Sequence, residues 1–171
     1  MDFSKLTIGD NTPEVVNAVI EIPFGSSVKY EVDKETGLVF VDRFNFTSMF
    51  FPFNYGYIPA TKGQDNDPLD ILVLSSYPVA PGSVIKCRPV GMLEMEDESG
   101  IDTKIIAVPV EKVDPFYSHI KDVKDLGDMV LKRIKHFFDH YKELEDGKWV
   151  KTKDFLPKNN AYDEIKKSTI K

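Results

Sequence analysis

A change in hydrophobic period divides the 171-residue chain into two parts. In the first two thirds, apolar and polar residues alternate over short segments, which is typical of strands with one buried face. After Leu126 the spacing becomes three to four residues, which is typical of an amphipathic helix. This second set comprises Val130, Ile134, Phe137, Phe138, Tyr141 and Leu144. The chain is therefore predicted to place a β-rich unit before a helical C-terminal third.

The predicted strands are short, closely spaced and joined by tight turns. In "KETG", Gly37 can adopt the positive φ that a hairpin turn requires. The longest segment contains Pro89 and Gly91, which predict a bend or bulge. Several short strands joined in this way favour a small closed barrel. The predicted strand segments are 18–24, 26–33, 38–44, 69–76, 83–97 and 103–110.

Two helices are predicted to follow the strands. Asp122 or Asp125 can cap the start of the long helix, and Gly147 follows its end. Residues 159–171 predict a shorter, partly polar helix, and Trp149 is predicted to lie in a late strand that packs on the barrel. The predicted fold is mainly β (α+β), a single domain over residues 1–171 with one long and one short C-terminal helix.

Composition excludes several classes of function. The chain has 28 acidic and 22 basic residues, and its net charge of −6 argues against a general binder of nucleic acids or anionic membranes. No segment approaches the roughly 18 to 20 apolar residues that a transmembrane helix needs, and the N-terminus does not resemble a signal peptide. The single cysteine, Cys87, allows no intrachain disulfide. A cytoplasmic location is therefore predicted.

The stretch "DNDPLD" places three carboxylates, Asp65, Asp67 and Asp70, before an apolar strand. Pro68 disfavours helix at the residue before it, so the carboxylates are expected on a turn. Their mutual repulsion is unfavourable unless a cation neutralises them, although a solvated acidic turn is the simpler alternative. The spacing does not fit an EF-hand, because neither the required glycine nor the final glutamate is present. The chain also contains no P-loop motif.

A second acidic cluster lies in "EMEDESGIDTK", residues 94–104. A solvated hairpin turn around Ser99 and Gly100 would account for most of it. Two turns rich in carboxylates nevertheless offer hard oxygen ligands for several Mg²⁺ ions, which favour carboxylate, water and phosphate oxygens.

Basic and phenolic side chains are also present on the predicted strands. Lys29 and Glu31 are two residues apart and should share one strand face. Arg43, Tyr55 and Tyr57 follow on later segments. Fixed donors of this kind, combined with metal ions, are what a site for a small polyanion needs.

These motifs resemble those of the soluble inorganic pyrophosphatases of the bacterial (family I) type. "DNDPLD" fits their D-x-D-P-x-D signature, and further matches extend over nearly the whole chain. They are "EIP" (21–23), "KYE" (29–31), "DR" (42–43), "NYGYIP" (54–59), "MEDE" with "D-x-K" (95–104) and "HYK" (140–142).

The resemblance assigns the acidic residues to metal binding and proton transfer. Asp65, Asp70 and Asp102 are similar to ligands of the two tightest Mg²⁺ ions, with Asp70 bridging them. Asp67 resembles the catalytic residue that accepts a proton from the attacking water. The remaining acidic residues are Asp97, a ligand of further Mg²⁺ ions, Glu31 and Glu98, which reach metals through water, and Glu21 at the edge of the site.

The resemblance also implies how the substrate is held. The matching phosphate-binding positions are Lys29, Arg43, Lys104, Tyr141 and Lys142, and Tyr55 matches a phenol close to the reacting water and phosphate. The family often has tyrosine where this chain has Phe51, so one hydroxyl is missing. The implied protein is a homohexamer of OB-like five-stranded barrels. The implied reaction is Mg²⁺-dependent hydrolysis of inorganic pyrophosphate to two orthophosphates by a metal-activated water, without a covalent intermediate.

Two other classes of protein remain as alternatives at this stage. Small barrels often bind oligonucleotides through aromatic faces, although carboxylate-rich loops would repel a phosphate backbone. A metal-dependent phosphohydrolase acting on nucleotides is also possible, but the chain has no recognisable base-binding pocket. His136 and His140 have a spacing that can bind zinc, yet no glutamate follows His136 as in HExxH proteases. A place on the helix surface, in a subunit contact, is the favoured interpretation of both histidines.

Overall fold

The computed structural model describes residue 3 and residues 5–170. Within this part of the chain there are nine strands and two α-helices. In chain order they are β1 (Val16–Ile22), β2 (Val28–Val32), β3 (Val39–Phe44), β4 (Asn54–Tyr57), β5 (Asp70–Val73), β6 (Val84–Asp97), β7 (Gly100–Ile101), β8 (Lys104–Pro109), α1 (Asp128–His140), β9 (Val150–Pro157) and α2 (Lys158–Ser168).

Five of these strands close into a barrel. They pair in the order β1, β4, β5, β8 and β6, and β6 then pairs with β1 to complete the ring. The β5–β8 pair is parallel, and the other four pairs are antiparallel. Closure leaves no unpaired barrel edge. The predicted mainly-β class and the five-stranded OB-like barrel are confirmed.

The bend predicted in the longest strand is present in β6. Its pairing with β8 shifts register between Pro89 and Gly91, as expected for a bulge. A Cβ atom on Gly91 would lie only 2.5 Å from the Cβ of Val123, so a side chain does not fit there. Beyond the bend, β6 also pairs with β7 and β9 outside the ring.

The predicted "KETG" hairpin is confirmed, but it lies outside the barrel. Strands β2 and β3 form a separate two-stranded sheet. In the turn, Asp33 accepts hydrogen bonds from the backbone and side chain of Thr36, and Gly37 has a φ of 68°. This hairpin carries Lys29, Glu31 and Arg43 to one side of the barrel.

Each helix covers a different apolar face of the barrel. From α1, Ile134, Phe137 and Phe138 are buried in one core cluster. From α2, Ala161 and Ile165 are buried in a second cluster. Helical spacing of apolar residues therefore corresponds to burial in both cases.

The boundaries predicted for the long helix are wrong at both ends. Asp122 and Asp125 form the capping box of a separate 3₁₀ helix, Val123–Leu126, and Gly127, with a φ of 79°, separates this turn from α1. The helix ends at His140, and Leu144 lies in the following turns with its side chain 61% exposed.

The remaining C-terminal predictions are confirmed in outline. The late strand is β9, which pairs with β6, but the predicted place of Trp149 in it is wrong, because Trp149 lies one residue before the strand and is 47% exposed. The short helix is α2, although Lys171, the last residue predicted for it, lies outside the described residues. Neither α-helix in the described part of the chain combines the length and apolar character needed to cross a bilayer.

Candidate functional site

The site lies at the edge of the barrel where two parallel strands, β5 and β8, begin. Asp70 is the first residue of β5 and Lys104 the first residue of β8, and the two are direct partners in the sheet. The segment before β5, called here the aspartate loop (residues 63–68), carries Asp65 and Asp67. Strand pairing therefore joins residues of the two acidic stretches that are 34 positions apart.

An open cleft of about 310 Å³ collects many of the predicted residues. Two adjoining hollows share Asp65 with it: one also contains Asp97 and Asp102, and the other contains Asp70 and Asp102. The predicted residues that line the main cleft are Glu21, Lys29, Glu31, Tyr55, Asp65, Asp67 and Asp70.

Local hydrogen bonds hold the aspartate loop in a tight turn. The Oδ1 atom of Asp65 accepts a hydrogen bond from the backbone N–H of Asp67 at 3.0 Å, across Asn66, which has a φ of 73°. Gly63 donates its N–H to the carbonyl of Asp67 at 2.6 Å. At the base, the hydroxyl of Thr61 accepts from Leu69 N–H at 2.9 Å. The loop therefore presents its carboxylates from a fixed backbone.

A buried cation neutralises two of the predicted metal ligands. The Lys104 ammonium donates hydrogen bonds to Asp70 Oδ2 and to Asp102 Oδ1, and it lies 5.6 Å from the centre of the Tyr55 ring. Burial alone would lower the pKa of Lys104, but the two carboxylates raise it, so the ammonium stays charged. Burial raises the pKa of Asp102, and the charge of Lys104 opposes this effect.

The carboxylate side chains do not converge on one point where a metal ion could bind. Within residues 3 and 5–170, no three Asp, Glu, His or Cys side chains are grouped closely enough to hold a metal ion. Asp70 and Asp102 are instead each bonded to Lys104. A metal ion between these two residues would therefore compete with an ammonium group that is already in place.

The β2–β3 hairpin adds a chain of alternating charges to the cleft. Lys29 donates to Glu31 at 2.6 Å, which confirms their predicted shared face, and to Asp42 at 3.2 Å. Arg43 lies 3.7 Å from Asp42 and 3.5 Å from Glu145. Burial lowers the pKa of Lys29, but its bonds to Glu31 and Asp42 raise it overall. No role was predicted for Asp42, although it precedes Arg43, which pairs with Lys29 across the hairpin.

Glu21 is a partly buried carboxylate at the edge of the cleft. Its Oε1 atom accepts a hydrogen bond from Val32 N–H at 2.9 Å, which ties β1 to the hairpin. Burial, reinforced by the charges of Asp70 and Glu31, raises its pKa from an ordinary value of 4.5 to about 7. Near neutral pH this group is therefore partly protonated, unlike an exposed glutamate.

On the opposite rim of the cleft, ion pairs join the end of β6 and the residue that follows it to the segment after α1. Lys142 donates to Asp97 at 3.0 Å, and Lys148 donates to Glu98 at 2.6 Å. Burial would raise the pKa of Glu98, but the Lys148 hydrogen bond helps to lower it to about 2. Lys148 was not predicted, since no motif in its neighbourhood marks it.

Aromatic side chains support this rim. The ring of Tyr141 is stacked on Phe137 with centres 4.9 Å apart, and Phe51 packs against Phe137 at 4.7 Å. Burial raises the pKa of both Tyr55 and Tyr141, so both phenols remain hydrogen-bond donors. Phe51 is buried in this cluster, so at this position the chain has apolar packing in place of the hydroxyl.

His136 and His140 lie on α1, outside the acidic cleft. Their rings on α1 are 4.6 Å apart, and His136 lines a surface hollow with Met129 and Arg133. His140 pairs through Nδ1 with Glu143 at 3.1 Å. Neither histidine lines the acidic cleft or the two hollows that adjoin it.

A closed barrel with carboxylates, ammonium groups and phenols around one open cleft is typical of a hydrolase that acts on a small phosphorylated anion. Comparison with known proteins defines the class further. The family model for inorganic pyrophosphatase matches residues 18–171.

The relatives match along almost their full length. The inorganic pyrophosphatase of Aquifex pyrophilus is 60% identical over 167 residues, covering 98% of this chain and 94% of the relative. Solved structures of inorganic pyrophosphatases from Helicobacter pylori and Thermus thermophilus are 48% and 45% identical, each with a TM-score of 0.93. The former match covers 96% of both chains, and the latter 97% of this chain and 95% of the other.

The chain belongs to the inorganic pyrophosphatase family, of the soluble family I type. It is therefore an enzyme of the inorganic diphosphatase class, which hydrolyses diphosphate. Membership of this family also implies a general requirement for divalent metal ions.

Proposed function

We propose that this cleft hydrolyses inorganic pyrophosphate to two orthophosphates in a Mg²⁺-dependent reaction, with water as the nucleophile and no covalent intermediate. The observation that carries the proposal is the meeting of Asp65, Asp67 and Asp70 with Lys29 and Tyr55 in one cleft. Pyrophosphate is a dense anion, so a site needs positive charge to bind it and a base to activate water beside it.

The donor set fits magnesium. Its lining is rich in carboxylate oxygens, the hard ligands that Mg²⁺ prefers together with water and substrate phosphate. Divalent ions would neutralise the substrate and make a coordinated water more acidic. Asp65, Asp70 and Asp102 would hold the two tightest ions. Further ions would be held by Asp97, with Glu31 and Glu98 acting through water.

Asp67 is proposed as the group that takes the proton from water. The residue is exposed, and its backbone rather than its carboxylate makes the local hydrogen bonds. Asp70, in contrast, is bonded to Lys104. Among the described residues the Asp67 carboxylate has no lysine partner, so it remains available to hydrogen-bond a water, which supports the division of roles.

Lysine, arginine and tyrosine side chains are proposed to hold the phosphate groups. Lys29 and Arg43 approach from the hairpin, while Tyr141 and Lys142 lie on the opposite rim. Tyr55 and Lys104 lie between the two sides, and Glu21 borders the cleft. Donors fixed by ion pairs before substrate arrives can stabilise charge that develops on the leaving phosphate.

Nothing in this mechanism needs a protein nucleophile. Cys87 is buried in the barrel core, and burial raises its thiol pKa, so thiolate attack is disfavoured. Direct attack by water accounts for hydrolysis with the residues that line the cleft.

The same proposal includes a cytoplasmic homohexamer in which each chain contributes one catalytic domain. The exposed side of α1 supports an oligomer, because Met129 is 75% exposed next to the paired rings of His136 and His140. Met129 and Val130 line a surface hollow on this side of α1, and apolar surface rimmed by polar residues is typical of interaction sites.

Release of orthophosphate from pyrophosphate and from ATP, with Mg²⁺ present in both cases, tests the proposed substrate. Pyrophosphate should be hydrolysed much faster than ATP. Comparable rates would support a nucleotide phosphohydrolase instead, and binding of oligonucleotides without any phosphate release would support the nucleic-acid alternative.

A further inference from the structure

A second hollow lies behind the aspartate loop. This hollow, called here the Tyr57 pocket, has a volume of about 420 Å³, within the range of small-molecule sites. Its wall is mainly apolar and includes Phe3, Tyr57, Pro68 and Ile170. None of the predicted substrate or metal-binding residues lines it.

Two lysines give the pocket a positive rim. Lys34 and Lys62 both line it, and both are exposed. Among the described residues, neither ammonium group pairs with a carboxylate, although the chain has an acidic excess. Within residues 3 and 5–170, the one partner of the Lys34 ammonium is the ring of Tyr57, whose centre lies 5.7 Å away. An apolar wall beside two unneutralised ammonium groups is complementary to an aromatic carboxylate.

Tyr57 itself has unused hydrogen-bonding capacity. The relative solvent exposure of Tyr57 is 6%, and its hydroxyl has no hydrogen-bond partner among the described residues. Burial and the charge of Glu21 raise its pKa to about 12, so the hydroxyl remains a donor at neutral pH. A buried donor without a partner is uncommon, and here it lies in the wall that separates the pocket from the cleft.

The Tyr57 pocket adjoins the catalytic cleft directly. Lys34, Tyr57 and Pro68 line both hollows. Asn66, which lies between Asp65 and Asp67 at a φ of 73°, also lines the pocket. A ligand in the pocket would therefore touch the aspartate loop from behind and would draw Lys34 away from the cleft.

We propose that the Tyr57 pocket binds a small aromatic carboxylate through Lys34 and Lys62 and that the bound ligand weakens the binding of pyrophosphate in the adjoining cleft. This regulatory site is separate from the catalytic groups and goes beyond the proposed hydrolysis. Its effect arises because the carboxylate neutralises a lysine that otherwise adds positive charge to the cleft wall.

Calorimetric titration with 2-naphthoate tests the binding part directly. The double variant Lys34→Gln/Lys62→Gln should bind 2-naphthoate about tenfold more weakly than the unmodified protein, since two exposed charge contacts are lost. Lys112→Gln/Lys166→Gln removes the same charge from exposed positions outside the pocket and should bind normally. The uncharged 2-naphthamide should bind poorly to all three proteins.

Binding that is absent from all three proteins, or equal in both double variants, would overturn the proposal. Displacement of 2-naphthoate by imidodiphosphate in full stoichiometry would place it in the catalytic cleft and would also overturn it. Binding that appears only after the oligomer is diluted would show that a second copy covers the pocket, and it too would overturn the proposal.

The predicted effect of the ligand on pyrophosphate binding is tested separately, by steady-state kinetics. Saturating 2-naphthoate should raise the KM for pyrophosphate about two- to fivefold, the effect expected of one exposed charge, with little change in kcat. The increase should persist in Lys112→Gln/Lys166→Gln and vanish in Lys34→Gln/Lys62→Gln. Tight binding of 2-naphthoate with no change in the KM for pyrophosphate would disprove the coupling.

Discussion

Asp67 and Asp70 lie three residues apart but have different surroundings. Asp70 is bonded to buried Lys104 at the start of β5, whereas Asp67 is exposed on the aspartate loop. This difference is the structural basis for giving one residue to metal binding and the other to proton transfer.

Replacing each aspartate by asparagine should separate the two roles, because the shape is kept while charge and basicity are lost. Asp67→Asn should lower kcat by about 10² to 10⁴, the usual effect of removing a general base, and added Mg²⁺ should not restore it. Asp70→Asn should weaken Mg²⁺ binding and regain part of its activity at high Mg²⁺. Measurements of kcat against Mg²⁺ concentration at several pH values distinguish the variants. Indistinguishable profiles would mean that the carboxylates act as one metal cage.

Glu21 should make the stability of the metal-free protein depend on pH. Its folded pKa of about 7 exceeds the ordinary value of 4.5, so its contribution is complete below pH 4.5 and is lost as pH rises through about 7. Glu21→Gln removes this loss and should stabilise the protein at pH 8 by up to about 3 kcal/mol, with little gain at pH 4.5. Thermal unfolding in EDTA at both pH values measures the difference. An equal effect at both values would contradict a raised pKa.

At the scale of elements, β4 depends on close backbone contact with β1. A Cβ atom on Gly56 would lie 1.9 Å from the carbonyl oxygen of Val19, a distance that backbone cannot accommodate without moving. Gly56 separates Tyr55 from Tyr57, so such a movement would also displace a predicted substrate-binding phenol.

Gly56→Ala should therefore lower the free energy of unfolding by about 3 kcal/mol or more, at the upper end of overpacking effects. Gly63→Ala is the matched control for stability, since its added Cβ would lie 3.0 Å from the side-chain oxygen of Asp65 and 3.3 Å from the carbonyl oxygen of Asp67, much farther than the 1.9 Å at Gly56. That control should change stability by less than about 1 kcal/mol. Denaturant unfolding of both variants provides the test, and equal losses would show that the contact with Val19 is not limiting.

Sequence periodicity predicted most of these elements because their apolar faces are buried in the structure. The start of α1 could not be predicted in this way. Asp122 and Asp125 have the residue types of a helix cap, but the same types also cap the 3₁₀ helix that they begin. Sequence spacing does not distinguish the two, since the distinction depends on the backbone of Gly127.

Sequence motifs predicted which residues form the site better than they predicted the contacts between those residues. The acidic and basic motifs identified the residues that line the cleft, but pairing of Lys104 with Asp70 depends on a parallel strand pair. No local pattern specifies that pair. Lys148 and the Tyr57 pocket were missed for the same reason, because their surroundings come from distant parts of the chain.

At the scale of the whole molecule, the proposed hexamer should depend on the outer face of α1. Met129→Glu places a charge on this face and should shift the protein to smaller species in analytical ultracentrifugation. Phe116→Glu is the matched control, because Phe116 is 76% exposed, close to the 75% of Met129, but does not lie on α1. Equal dissociation of both variants, or a fully active monomer of the unmodified protein, would contradict the assignment of α1 to the interface.

The central claim is that carboxylates at the edge of the barrel use Mg²⁺ to hydrolyse pyrophosphate. Orthophosphate release from pyrophosphate by the purified protein, measured in Mg²⁺, in EDTA and in Mg²⁺ with added Ca²⁺, tests it most directly. The predicted result is rapid release in Mg²⁺, none in EDTA, and inhibition by Ca²⁺, whose larger and looser coordination does not suit the site. Full activity in EDTA would contradict the account.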